Sequence, residues 1–236
     1  MADVPNPKQA ARAISHVEPL FNFEDKVAPA HTALLVIDMQ NDFCAPGGMM
    51  DREGRDASAI RDVAVRLPEL CDAARKAGVL VIFVRNIYTT DRNFYLSDVW
   101  LEQAARVRKG SYTVYPVCGE GEWGGEFYGN IRPEANDVIV TKHRFNAFHN
   151  TDLDTILRSN CIRTLVLTGC VTNVCVESTA RDAFMRDYYV VVTSDGSGAY
   201  SEEAHKASLS NIDKYFGQVA SVADVHSAWG RASKSA

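Results

Sequence analysis

Residues 162–189 constrain the fold more strongly than any other stretch, because the spacing of their apolar side chains changes period in the middle. Residues 164–168 form an apolar run rich in leucine and valine, which is typical of a strand buried on both faces. Gly169 ends this run. From about residue 174 the apolar side chains recur with a helical period, at Val176, Ala180, Ala183 and Phe184. The stretch therefore predicts a strand, a tight turn and a helix.

Cys175 falls at or just inside the start of this predicted helix. The free amides and the dipole of a helix N-terminus favour negative charge, so a thiol placed there is expected to ionise more easily. The same amides can hold the oxyanion of a tetrahedral intermediate. A free cysteine is more often a small buried hydrophobic residue. This stretch alone leaves both interpretations open: a nucleophile or a structural cysteine.

Short apolar runs alternate with helical periods along the chain, which predicts an α/β fold. Six strands are expected, over residues 33–37, 79–84, 137–141, 164–168, 188–194 and 218–221. We predict a three-layer α-β-α arrangement, with a mostly parallel six-stranded sheet and helices on both faces. A helix over residues 56–78 should stop at Gly78 and kink or break at Pro68. The expected organisation is an N-terminal arm (1–30), one domain (31–225) and a C-terminal tail (226–236).

The composition is that of an ordinary soluble globular protein: the 236 residues are 46% hydrophobic and 23% charged, with a formal net charge of -5. No basic run points to nucleic acid, no apolar stretch reaches the roughly 18 to 20 residues of a membrane span, and the N-terminus lacks the apolar core of a signal peptide. We therefore expect a cytoplasmic protein without a nucleic-acid or membrane partner. The six cysteines are expected to be free thiols without a structural zinc, because none forms a CxxC pair.

Three chemically active residues follow three of the predicted strands: Asp38, Lys142 and Cys175. The carboxyl ends of parallel strands lie on one edge of a sheet, where ligands bind in open α/β folds, so the three side chains can meet. Their chemistry is complementary, because the cysteine supplies a nucleophile, the aspartate a general base and the lysine a cation that stabilises both anions. The aspartate can instead cap local backbone, and the lysine can reach out to water.

Three segments carry a resemblance to a known family: LLVIDMQNDF, TKHRFNAFHNTDLD and LVLTGCVTNVCVESTARDA. In order and spacing they resemble the signature segments of the isochorismatase-like cysteine hydrolases, over residues 32–222. The family includes nicotinamidases, N-carbamoylsarcosine amidohydrolases and ureidoacrylate amidohydrolases. The resemblance implies a parallel sheet flanked by helices, a catalytic triad of Asp38, Lys142 and Cys175, and a cis peptide between Cys170 and Val171. It also implies an oxyanion hole formed by the amides of Val171 and Cys175, and a homodimer or homotetramer.

Departures from the family pattern narrow the expected reaction. Isochorismatases proper lack the nucleophilic cysteine, so cleavage of isochorismate is not expected. Metal-dependent nicotinamidases carry an Asp-x-His followed by further histidines after the second strand, whereas this chain reads VRNIYTTDRN there, without histidine. No metal and no cofactor are therefore expected. GCVTNVCVEST and RFNAFHNT most resemble the ureidoacrylate and N-carbamoyl amidohydrolases.

Four residues are candidates for substrate binding: Asn86, Tyr88, Arg144 and Gln40. Asn86 and Tyr88 follow the second strand at alternate positions and match polar pocket residues of the family. Arg144 lies two residues after Lys142, so in an extended segment both side chains share a face. It is a candidate partner for a substrate carboxylate, although a structural arginine paired with a nearby acid is an equal alternative. Residues 85–111 form a polar, aromatic-dotted insert that is expected to act as a substrate lid or as a surface loop, and residues 112–133 are irregular and rich in glycine.

The predicted activity is that of a metal-free cysteine amidohydrolase, a hydrolase of carbon–nitrogen bonds other than peptide bonds in linear amides. The expected substrate is a small linear ureido (carbamoyl) or amide compound, cleaved through a thioester with release of ammonia or an amine. Two alternatives stay open: a nicotinamidase-type primary amide hydrolase, and a redox or binding protein of the same fold without hydrolytic activity.

Overall fold

The computed structural model of the chain describes residues 6–90, 92–108 and 111–232. Six strands form one sheet: β1 (Thr32–Ile37), β2 (Leu80–Asn86), β3 (Val138–Lys142), β4 (Thr164–Cys170), β5 (Tyr189–Gly198) and β6 (Gln218–Ala220). Their order across the sheet is β3-β2-β1-β4-β5-β6, and every neighbouring pair is parallel. The predicted α/β class and the six-stranded sheet are confirmed, and the sheet is parallel throughout.

The described helices are α1 (Pro7–Ile14), α2 (Phe23–Lys26), α3 (Asn41–Cys44), α4 (Met49–Arg52), α5 (Ser58–Ala77), α6 (Asp98–Val107), α7 (Leu153–Ser159), α8 (Glu177–Met185), α9 (Glu202–Tyr215) and α10 (Val222–Ala232). Helix α5 ends at Gly78, whose left-handed conformation (φ 78°) lets its amide bond to the last turn, as predicted. The predicted kink or break at Pro68 does not end the helix, because Leu67 and Leu70 on either side are fully buried in the core.

Two hydrophobic cores lie on the two faces of the sheet, because successive strand residues point to opposite sides. Leu34, Val36 and Phe83 belong to the core that α5 and α10 cover. Leu35 and Ile37 belong to the other core, covered by α7, α8 and α9. This is the predicted three-layer arrangement, and it explains why the central strands are buried at every position rather than at alternate ones.

The chain termini pack on the domain. In the arm, the Leu20 amide donates a hydrogen bond to the Tyr189 hydroxyl (2.9 Å), and the Trp229 indole donates to the Val27 carbonyl (2.9 Å). The predicted tail boundary at residue 225 is wrong, because it falls inside α10, where Trp229 is only 1% exposed. Residues 1–5 of the arm and 233–236 of the tail lie outside the described residues. Within the described ranges, no helix is both long and apolar enough to span a membrane.

The strand order creates a crevice between β1 and β4 at the centre of the sheet. The chain leaves β1 towards β2 on one side and leaves β4 towards β5 on the other side. Segments that follow the two strands therefore diverge, and ligands of open α/β sheets bind at such a point. Asp38 follows β1 and Cys175 lies in the segment after β4, so the fold brings both residues to this crevice.

Candidate active site

Asp38 is the first residue after β1 and is almost completely buried, with 1% of its surface exposed. Its backbone has a positive φ of 54°, and its amide donates to the Val84 carbonyl (2.9 Å) on the neighbouring strand. Opposite the end of β1, Gly169 pairs with Ile37 and has a φ of 104°. A Cβ atom at residue 169 would lie 2.0 Å from the Ile37 carbonyl oxygen, so only glycine allows β4 to run this close to β1.

Lys142 ends β3 and is fully buried, so the alternative in which it reaches out to water does not apply. Its Nζ donates to Oδ2 of Asp38 (2.8 Å) and to the carbonyl of Arg144 (3.0 Å). Burial disfavours the ammonium ion, but the Asp38 carboxylate and the Cys175 thiol outweigh burial and raise the pKa of Lys142. The lysine therefore stays charged and provides a fixed cation inside the site.

Cys175 lies in a π-helical turn, Thr172–Val176, that leads directly into α8. Its thiol is buried and lies within hydrogen-bond reach of the Asp38 and Lys142 side chains. Burial raises the pKa of the thiol to about 12; Lys142 opposes this shift and Asp38 adds to it. The expectation that the helix start makes this thiol easy to ionise is therefore wrong, since burial and a neighbouring carboxylate outweigh the cation. The resting thiol is protonated and needs a base.

The Asp38 carboxyl is suited to be that base. Burial raises its pKa from the ordinary value of 3.8, although Lys142, Cys175 and Asn86 act in the opposite direction. A carboxylate with a raised pKa is a stronger proton acceptor. Oδ2 is held by Lys142, whereas Oδ1 makes no hydrogen bond of ordinary geometry within the described part of the chain. Oδ1 is thus available for the thiol proton.

A pocket of about 380 Å³ opens beside Cys175 and Val171. Five aromatic residues line it: Phe43, Tyr88, Tyr112, Phe145 and Tyr200. Val171 and Cys175 are the two residues whose amides the resemblance assigns to an oxyanion hole, and both line this pocket. The peptide bond between Cys170 and Val171 is cis, as the resemblance implies. The arrangement places the Cys175 thiol in the wall of a cavity large enough for a small molecule.

The structure separates the four candidates for substrate binding. Tyr88 lies in the pocket wall. Asn86 lies beside Asp38 and is fully buried, outside the pocket wall. Neither polar atom of its side-chain amide makes a hydrogen bond of ordinary geometry to the described residues. Contact between Asn86 and substrate stays a prediction.

Gln40 and Arg144 do not line the described pocket, and contact of either residue with substrate stays a prediction. The side-chain amide of Gln40 donates to the backbone carbonyls of Asn86 and Gly125 (both 2.8 Å). Its oxygen accepts from the backbone N–H of Asn86 (2.7 Å), so Gln40 joins the end of β2 to the segment around Gly125. The Arg144 guanidinium donates to the Tyr95 carbonyl (2.9 Å) and lies 5.1 Å from the Trp100 ring centroid. The Gln40 side chain and Nη1 of Arg144 therefore hold backbone around the site.

Two arginines of the pocket wall were missed by the sequence reasoning: Arg55 and Arg108. Both belong to segments without a regular hydrophobic period, so their direction could not be inferred. The clustering of aromatic residues around Arg108 in the insert is the one signal that pointed towards a pocket. The insert itself folds partly as α6, with Trp100 packed against Tyr88 (5.7 Å between ring centroids), so it forms a wall of the site.

No group of three or more His, Cys, Asp or Glu side chains within residues 6–90, 92–108 and 111–232 is arranged to hold a metal ion. Metal-independent activity stays a prediction, to be tested on the protein in solution.

Comparison with known proteins identifies the family. Residues 32–224 match the model of the isochorismatase domain. The chain is 38% identical over 208 residues to ureidoacrylate amidohydrolase RutB of Methylobacterium radiotolerans, covering 86% of this chain and 81% of the relative. A crystal structure of a cysteine hydrolase from Pseudomonas syringae pv. phaseolicola superposes with a TM-score of 0.77 at 31% identity, covering 91% and 98% of the two chains. N-carbamoylsarcosine amidase from Thermoplasma acidophilum superposes with a TM-score of 0.64 at 26% identity, covering 81% and 96%. The chain therefore belongs to the isochorismatase family.

Proposed function

We propose that this protein is a cysteine amidohydrolase that cleaves a carbon–nitrogen bond in a small linear ureido or amide compound. The observation that carries the proposal is the contact of Asp38, Lys142 and Cys175 inside one buried site, with Cys175 in the wall of a pocket. A fold needs no such trio for stability, because buried ionisable groups are costly. The names of the relatives support the same class of reaction, since they include a ureidoacrylate amidohydrolase and an N-carbamoylsarcosine amidase.

The first half of the reaction forms a thioester. Asp38 accepts the thiol proton through Oδ1, and the Cys175 thiolate attacks the carbonyl carbon of the substrate. The Lys142 ammonium holds Oδ2 and offsets the negative charge that develops on sulfur. The amides of Val171 and Cys175 donate to the oxyanion of the tetrahedral intermediate. The intermediate collapses as the leaving nitrogen takes the proton from Asp38, and ammonia or an amine departs.

The second half of the reaction hydrolyses the thioester. Asp38, ionised again, accepts a proton from a water molecule that attacks the thioester carbonyl, and the proton then returns to the sulfur of Cys175. With a ureido substrate the carbonyl carbon leaves as a carbamate. The carbamate decomposes to carbon dioxide and ammonia if the amine left in the first half, or to carbon dioxide and the amine if ammonia left first. One carboxylate thus acts once as base and once as acid in each half. Its raised pKa suits both roles.

A test of this proposal is a screen for ammonia release from ureido acids, N-carbamoyl compounds and primary amides, nicotinamide included. We expect turnover of at least one ureido or linear amide compound by the purified protein and loss of nearly all of it in Cys175→Ala. Electrospray mass spectrometry of acid-quenched reactions should show the added acyl mass on the peptide that contains Cys175. Undiminished turnover by Cys175→Ala, or no turnover of any compound in the panel, would overturn the proposal.

A further inference from the structure

The pocket wall carries its charges unevenly. On one side, Nε of Arg55 pairs with the buried Oε2 of Glu53 at 2.7 Å, so this cation is balanced inside the protein. Asp56 also lines the pocket, and its carboxylate accepts a hydrogen bond from the Ser58 amide (2.8 Å). Among the described residues, the positive charge of Arg55 on this side is therefore offset by nearby carboxylates.

Arg108, on the other side, has no such balance. Its guanidinium lies 5.2 Å from the ring centroid of Tyr112 and 5.7 Å from that of Phe145, and its Nε donates to Oε1 of Gln103 in a long bond of 3.4 Å. No carboxylate among the described residues lies within salt-bridge distance of it. A guanidinium has five N–H donors, and stacking on aromatic rings leaves those at its edge free for a carboxylate.

Arg108, Tyr112 and Cys175 line the same pocket, and the Arg108 guanidinium lies over the Tyr112 ring. Burial raises the pKa of the Tyr112 phenol, whereas Arg108 lowers it and Cys175 raises it. Tyr112 also packs edge-on against Tyr88, with ring centroids 5.0 Å apart. The cation and the thiol thus line one pocket of about 380 Å³, and a small acid bound there can contact both.

We propose that Arg108 binds a carboxylate of the substrate, so that the substrate is an acid with its ureido or amide group at the other end. The inference rests on the proposed amidohydrolase function and adds the substrate class. Two parallel N–H···O bonds from the guanidinium hold the carboxylate against the Tyr112 face, which directs the scissile carbonyl to Cys175. Arg108 is a specificity-determining residue in this arrangement and takes no part in proton transfer.

Paired substrates test the proposal: 3-ureidopropanoic acid and N-carbamoylglycine, each beside its uncharged methyl ester. In Arg108→Gln, kcat/KM for the acids should fall by about 10- to 100-fold, the usual effect of losing a hydrogen-bonded charge partner. The esters should change by less than about 3-fold, and Arg108→Lys should recover part of the loss on the acids. Arg106→Gln is the matched control, since Arg106 lies in the last turn of α6, two residues before Arg108, but is exposed and pairs with Glu102.

A second measurement does not depend on turnover. Each acid should protect Cys175 of the wild-type protein from alkylation by iodoacetamide at pH 9, followed by peptide mass spectrometry, and should fail to protect Arg108→Gln at the same concentration. Protection without hydrolysis would reject the amidohydrolase function and keep the carboxylate site. Equal losses on acids and esters in Arg108→Gln, equal protection of both proteins, or no protection of the wild type would overturn the role of Arg108.

Discussion

Nζ of Lys142 lies 2.8 Å from Oδ2 of Asp38, and neither side chain is accessible to solvent. A buried ion pair of this kind adds little net stability as a unit, but removal of one partner leaves an uncompensated charge in the interior. A substitution at either residue is therefore expected to change both the activity and the stability of the protein.

Lys142→Met should lower the free energy of unfolding by about 3–5 kcal/mol, because it leaves the Asp38 carboxyl without its cation. The double variant Asp38→Asn with Lys142→Met should lose less than the sum of the two single variants, since it removes both charges together. Urea denaturation measures all three variants. The exposed pair of Arg106 and Glu102 provides the control, where Glu102→Gln should cost less than about 1 kcal/mol. Strict additivity of the two buried substitutions would contradict the pairing.

The acidic limb of kcat/KM should report on Asp38. The carboxyl must be ionised to accept the thiol proton, so activity should fall as pH falls through its pKa. Burial raises that pKa above the ordinary 3.8, so the midpoint of the limb should lie above 3.8. Asp38→Asn should abolish the limb and cost roughly 100-fold to 10,000-fold in rate. A limb at or below 3.8 in the wild-type profile would show that another group controls it.

Asn86→Ala should move the same limb to higher pH. The Asn86 amide lowers the pKa of Asp38, so its removal should let that pKa rise further. The comparison of Asn86→Ala with Tyr88→Phe separates the two residues, because Tyr88 lies in the pocket wall and should weaken kcat/KM without moving the limb. An unmoved limb in Asn86→Ala would mean that the amide does not act on the carboxyl.

Alkylation of the cysteines at neutral pH should begin at Cys161, the exposed thiol, rather than at Cys175. Burial raises the pKa of the Cys175 thiol to about 12, and the thiolate is the reactive form. Its labelling rate in the absence of substrate should therefore keep rising with pH well above 9. Lys142→Met should slow this labelling further, since Lys142 lowers the thiol pKa. Peptide mass spectrometry after timed exposure to iodoacetamide measures each site. Faster labelling of Cys175 than of Cys161 at pH 7 would contradict the protonated resting thiol.

Activity should survive prolonged dialysis against a chelator. The reason lies in residues 84–93, which contain no histidine, and in a proposed mechanism in which Asp38 and Lys142 activate the nucleophile. The measurement compares turnover and bound metal before and after dialysis. If activity is lost and zinc, iron or manganese restores it, the protein is a metal-dependent hydrolase and the prediction is wrong.

The sequence was sufficient for the sheet and for the meeting of Asp38, Lys142 and Cys175, because each follows an apolar run and parallel strands end at one edge. The sequence did not predict the direction of a side chain where that direction depends on contacts with residues far away in the sequence. Arg144 shares a face with Lys142 only in an extended segment, and the chain turns there, so the guanidinium points to Tyr95 and Trp100. Arg108, in contrast, lines the pocket although the sequence did not predict it, because the hydrophobic pattern of the insert does not define the course of the backbone there.

The thiol of Cys175 illustrates a different limit. Position at a helix start is visible in a sequence, but the degree of burial is not, and here burial decides the protonation state. The expected homodimer or homotetramer also depends on surfaces rather than on local pattern, and it stays a prediction. Sedimentation equilibrium would decide between the two assemblies.

The approach of β4 to β1 at Gly169 has a consequence for the interpretation of inactive variants. Any side chain at residue 169 collides with the backbone at Ile37, one residue before Asp38, and would force the two central strands apart. Saturation mutagenesis scored on turnover alone would place Gly169 among the reactive residues, although it has no group that could take part in chemistry. A map of positions that tolerate no substitution would thus overestimate the number of catalytic residues. Measuring the amount of folded protein for each variant would separate loss of folding from loss of catalysis.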